Sequence, residues 1–193
     1  MTTSPQSRRV SGWTIAICAA AALLVYWIVD VRRSPAITKA RAVADRYACL
    51  KADDPGVGYK HKSMVFSERT YHSMGGENYI QALWWLPLTQ LAISVQFSRN
   101  QISQMYAATA RVWGSEEIVG FDALSRLLYG RGFCDLDRTR RSAVDYIAYP
   151  RDLPADGDIR AEIDHGMSVL KERNDRIRAQ RRAQREARRR RSW

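Results

Sequence analysis

Seventeen consecutive residues without a charge, Trp13 to Val29 (WTIAICAAAALLVYWIV), constrain this chain more than any other feature. At about 1.5 Å per residue, a helix over them covers roughly 26 Å, short of the ~30 Å hydrocarbon core of a bilayer. Gly12 and Val31 close the gap and leave Asp30 at headgroup level. Trp13 at one end, and Tyr26 with Trp27 at the other, stand where an interfacial aromatic belt holds a spanning helix. Residues 12–31 therefore read as a transmembrane anchor in contact with membrane lipid. A cleaved secretory signal is the competing reading, since Arg8 and Arg9 supply a positive start. It fails at the far end, where Tyr-Trp-Ile-Val-Asp is bulky and a cleavage site needs small residues.

Orientation rests on flanking charge. Arg8 and Arg9 lie before the apolar stretch; Arg32, Arg33, Lys39, Arg41 and Arg46 follow it. Five against two favours the following domain on the cytosolic side of a plasma (inner) membrane, though long domains can be translocated regardless. A second apolar run, YIQALWWLPLTQLAISVQF over 79–97, is also long enough to span. Gln81, Pro87, Thr89, Gln90, Ser94 and Gln96 are costly or awkward in lipid, which favours a buried core segment over a second span. Trp84 and Trp85 then fill the core or meet the membrane interface rather than stack on a ligand.

A chain of 193 residues holds one ordinary domain with appendages, and 46% apolar residues with six tryptophans describe a folded one. The net charge of +11 is not spread over that domain. From Lys171 to Trp193 eleven Lys/Arg stand against three acids, a net of +8, so the other 170 residues carry only +3. Basicity is concentrated in an appendage.

The pattern places a polar tail at 1–11, the anchor at 12–31, a stalk helix at 34–52, a compact and mostly helical domain at 53–155, and a C-terminal helix at 158–193. Ser34-Pro35 is a capping hydroxyl followed by proline at the first helical position. Residues 57–76 alternate poorly and read as a loop with one short strand near Ser63–Ser67. Asn100 is a candidate cap for a helix whose face is Ile102, Met105, Tyr106 and Trp113, with Thr109 interrupting it. Ser115-Glu116-Glu117 reads as the start of another, with Phe121, Leu124, Leu127 and Leu128 on one face and Gly130 as its stop. Ile159, Ile163, Met167 and Leu170 line the last helix, and beyond Leu170 little apolar remains. The fold class is mainly α: one N-terminal transmembrane helix, a single small helical domain and a long basic C-terminal helix. A short β element from 63–71 and 91–97 is the competing feature.

No nucleophile elbow and no phosphate-cradling glycine loop occurs. Glu68 and His72, four apart, would share a helix face, but that spacing is common by chance. His61 and His165 belong to no cluster with metal-ligand spacing. The residues thus point away from an enzyme, a cofactor or a metal site. Cys18 falls inside the apolar stretch; Cys49 and Cys134, 85 positions apart, are simplest as two separate buried thiols. A disulfide between them becomes available if the domain faces an oxidising compartment.

The basic end is therefore the candidate contact region: Arg176, Arg178, Arg181, Arg182, Arg185, Arg188, Arg189, Arg190 and Arg191, expected to be spread around the helix. Arginine outnumbers lysine there ten to one, and guanidinium groups bind phosphate bidentately and stay charged, which suits phosphate-rich partners better than simple solubility would. Anionic lipid headgroups, nucleic acid and an acidic protein face all fit such a segment. The arrangement resembles the general plan of accessory subunits in secretion or conjugation machines. The expected role is a non-enzymatic, single-pass assembly subunit whose partners are other proteins of a membrane complex, its tail docking on polyanions or an acidic partner. A membrane-tethered nucleic-acid binder is the alternative.

Overall fold

The computed structural model describes residues 12–54, 58–76, 79–112, 115–149 and 154–191. Eight helices follow in order: α1 (Gly12–Arg33), α2 (Pro35–Ala44), α3 (Tyr59–Ser73), α4 (Tyr79–Gln96), α5 (Arg99–Thr109), α6 (Phe121–Tyr129), α7 (Arg138–Ala148) and α8 (Gly157–Arg191). One antiparallel pair, β1 (Arg111–Val112) with β2 (Ser115–Val119), lies between α5 and α6. The chain is mainly α.

The local chemistry of each start and stop is visible. Ser34 ends α1 and accepts a hydrogen bond from the Ile37 amide at its side-chain oxygen, 3.4 Å, with Pro35 at the first helical position. Ser98, not Asn100, caps α5, and Gln101 returns the bond to the Ser98 amide, 2.8 Å, completing a capping box. Gly130, left-handed at φ 67°, ends α6.

Four expectations are corrected. The segment after the anchor is not a stalk: α2 stops at Ala44, and Ile37 and Ala40 are fully buried against the domain. Residues 57–76 are not a loop with a strand; α3 runs through them. Its buried face carries Ser63, Ser67 and Thr70, so apolar periodicity is hidden, and the hydroxyls donate to carbonyls one turn back (Ser67 to Ser63, 2.7 Å; Thr70 to Phe66, 2.9 Å). Ser115-Glu116-Glu117 opens β2 rather than a helix. α6 starts only after Gly120, whose φ of +87° and close approach to the Tyr47 hydroxyl suit no other residue. The 63–71 and 91–97 segments, offered as a sheet, are both helical. α7 carried no expectation at all. Trp113, placed on the α5 stripe, lies outside the described residues.

The core gathers Phe66, Ile93, Tyr106, Phe121, Phe133 and Ile147, contributed by α3, α4, α5, α6, a 3-10 turn at Phe133–Asp135, and α7. Phe121 sits edge-on to Tyr106 and tilted against Phe133, with centroids 5.7 and 5.1 Å apart. Cys49, just after a second 3-10 turn (Asp45–Tyr47), is disulfide-bonded to Cys134 in the first. The bridge ties the two halves of the domain beside Tyr47.

Candidate functional site

α8 begins as part of the domain. Ile163 and Leu170 are buried, and Gly166 lies directly under Ile147 of α7, where any Cβ would collide with the Ile147 side chain. Arg140 of α7 reaches Glu162 of α8 at 3.3 Å and sits over the Tyr129 ring. Burial, reinforced by Glu162, holds the Tyr129 hydroxyl protonated well above its ordinary range.

From Lys171 onward no described side chain of α8 is buried, although the helix continues without a break to Arg191. Residues 171–191 project as roughly 31 Å of helix. The arginines are distributed unevenly around this helix. At 3.6 residues per turn, Arg178, Arg181, Arg182, Arg185, Arg188 and Arg189 recur at i, i+3, i+4, i+7, i+10 and i+11 and share one face about 120° wide. Ala179, Gln180, Ala183, Gln184 and Ala187 occupy the opposite face. Arg176 lies off the stripe and pairs with Glu172, 2.6 Å. The Arg190 and Arg191 side chains lie outside the described residues. The stripe was legible in the spacing once Arg176 and the terminal pair were set aside.

No family model, curated protein or solved structure matches this chain.

Among helices of the described residues, α1 alone is long and apolar enough to cross a membrane. Trp13 and Tyr26 are exposed along it, whereas Trp27 turns inward and stacks on Trp85, centroids 4.6 Å apart. The anchor aromatics therefore split between surface and packing.

The groups that might have supported catalysis do not converge. Glu68 and His72 share the open surface of α3, Glu68 Oε1 and His72 Nε2 being 4.0 Å apart, and His72 Nδ1 donates to the Gly76 carbonyl at 2.6 Å. His61 stacks on Tyr149, and His165 lies on α8. Among the described residues no three His, Cys, Asp or Glu side chains cluster as metal ligands.

A buried pair escaped the sequence reading: Lys62 of α3 and Asp145 of α7, 2.7 Å apart and shielded from solvent. Burial, aided by the Asp145 charge, pushes the neighbouring Tyr106 hydroxyl far above its ordinary range. Space beside Asp145 amounts to about 10 Å³, room for one water and no substrate. The pair fastens α3 to α7 across the core. Nothing in its sequence spacing announces it, because the two residues are brought together only by tertiary packing.

Proposed function

We propose that this chain is a non-enzymatic, single-pass membrane protein, an accessory subunit of a larger membrane complex, that presents the distal half of α8 as a docking arm for an acidic partner protein. The observation that carries the reading is the change along α8: a packed first half, then a stretch with no buried side chain among its described residues and six arginines on one face. A lone helix gains little stability in water without a packed face. Arg178–Arg182 and Arg181–Arg185 are also like-charged neighbours one turn apart, which disfavours the isolated arm further. A row of partner carboxylates supplies what the helix lacks, and the arginine stripe continues, turned by roughly 60°, the face that packs on α7.

The bridge supports a reading of which side of the membrane the domain occupies. Flanking charge favours the cytosol by five to two, but that rule is weak for a domain of this length. A disulfide persists in an oxidising compartment and is rare outside one. We therefore place the domain and arm on the oxidising side of the plasma (inner) membrane, where a protein partner is reachable and nucleic acid and the inner leaflet are not. The resemblance in plan to secretion or conjugation subunits belongs with this reading.

The test is a photo-crosslinking residue at Arg189, within the stripe, in the full chain, in its native membranes. A discrete, nuclease-resistant protein adduct is expected, lost when Arg178, Arg181, Arg182 and Arg185 are changed together to glutamine. A nuclease-sensitive adduct would replace this reading with the nucleic-acid one; no charge-dependent adduct would end both.

A further inference from the structure

The apolar run at 79–97 neither spans as α1 does nor disappears into the core. α4 holds no charged residue, and only part of its circumference is covered. Thr89, Ala92 and Ile93 are buried, while Trp84, Leu91 and Val95 are 76%, 49% and 68% exposed. With the half-buried Leu88, these residues recur at i, i+4, i+7 and i+11, a stripe about 60° wide with Ile93 on the far side of the helix.

Two contacts fix how α4 meets α1. Trp85 stacks on Trp27, and the Gln96 side-chain amide donates to the Ile28 carbonyl, 3.0 Å. Trp85 and Gln96 are about 16 Å apart along α4, yet both reach a single turn of α1, so α4 crosses that helix rather than running beside it. Trp85, Ala92 and Gln96 form the side toward α1, roughly a quarter turn from the exposed stripe. The stripe therefore faces along the direction of α1. The core lies toward the end where Val31 is buried, so the stripe opposite it faces the exposed length of α1, residues 13–26.

We infer that α4 is a second membrane contact: it lies in the lipid–water interface at the foot of the domain, with Trp84, Leu88, Leu91 and Val95 in the upper acyl region. The inference rests on the reading of α1 as the anchor, which holds this face at the bilayer surface. Tryptophan with aliphatic neighbours is the composition of an interfacial face. Two polar side chains that would resist lipid return to the helix backbone, Thr89 to the Trp85 carbonyl and Ser94 to the Leu91 carbonyl, both 2.8 Å; the Gln96 amide donates to Ala92 at 2.9 Å as well as to Ile28, while its side-chain oxygen is buried without a hydrogen-bond partner. Arg32 and Arg33, in the last turn of α1, stand at the height of the headgroup phosphates.

The test uses the full chain with Cys18→Ser and the Cys49–Cys134 bridge intact, in vesicles of phosphatidylcholine with phosphatidylglycerol. An environment-sensitive fluorophore is placed singly at Trp84→Cys, Leu91→Cys or Val95→Cys, with Ile17→Cys and Ala187→Cys as references. All three α4 positions should show blue-shifted emission, quenched alike by lipids spin-labelled near the headgroup. Ile17 should be quenched by deeply labelled lipid, and Ala187 by neither. Retained helicity and bridge confirm that each variant is folded. Quenching at Ile17 with water-like emission from α4 would overturn the seat and leave the anchor standing; water-like emission at Ile17 would overturn both. Depths at Trp84 and Val95 differing by about 16 Å would make α4 a second span. Blue-shifted but unquenched α4 positions would mean that protein, not lipid, covers the stripe.

Discussion

Up to Leu170, α8 buries Ile163 and Leu170 in the core and lets Ile147 of α7 press on Gly166; beyond it the same helix runs on with no buried side chain among the described residues and an arginine face. One half is tied to the domain by packing, an Arg140–Glu162 ion pair and the absence of a side chain at Gly166. The other carries a Glu172–Arg176 pair exposed to water. Secondary structure alone therefore does not mark the boundary of the domain; burial does.

The comparison breaks most visibly where the domain is closed. Replacing Cys49 and Cys134 by serine releases a loop of 85 residues. By loop-closure entropy this costs about 4.5 kcal/mol, most of the stability of a domain this size, measured by denaturant unfolding. The arm should be unaffected in helicity per residue.

Next, Lys62→Met leaves Asp145 buried without its cation and should cost about 3–5 kcal/mol. Adding Asp145→Leu should recover most of that loss in a double-mutant cycle. A sharper contrast stays within α8: Ile163→Ala should cost about 2–5 kcal/mol by opening a cavity, and Ile177→Ala, two turns past the last buried residue, within about 0.5 kcal/mol of nothing. Equal costs at the two positions would erase the division.

Smallest is a pH effect confined to the domain. Partial burial raises the Asp122 carboxyl, but hydrogen bonds from Arg126 and the Phe133 amide outweigh it and hold the group below its ordinary value. A depressed carboxylate contributes stability above its unfolded pKa, lost as pH falls through the lower folded value. Acid unfolding of Asp122→Asn should therefore start from lower stability at neutral pH and lack part of the decline below about pH 4.

How much of this was legible follows from where the information lies. The apolar stretch of α1, the Ser34-Pro35 start, the Gly130 stop and the loss of apolar residues after Leu170 are local patterns and could be read directly. α3 was hidden because its buried face uses serine and threonine that satisfy themselves along the helix, leaving no apolar period. α7 was missed for a related reason: Ser142 and Asp145 sit on its buried side among Ala143, Val144 and Ile147. The Lys62–Asp145 pair and the Cys49–Cys134 bridge are long-range, and spacing says nothing about which side chains a fold brings together. α4 was half legible: its apolar length was plain, but the division into a core face and an exposed stripe required the packing of α1 and α3.

The placement we propose is of the bridged domain and its arm on the oxidising side of the membrane. It is tested most directly at Ala187, exposed in the arm. A cysteine there, in a chain with Cys18→Ser and the bridge intact, is offered a membrane-impermeant maleimide in sealed right-side-out membrane vesicles, with and without detergent. Equal labelling in both conditions is the expected result. Labelling only after detergent would put the arm in the cytosol, contradict the placement, and return nucleic acid and inner-leaflet lipid as its ligands.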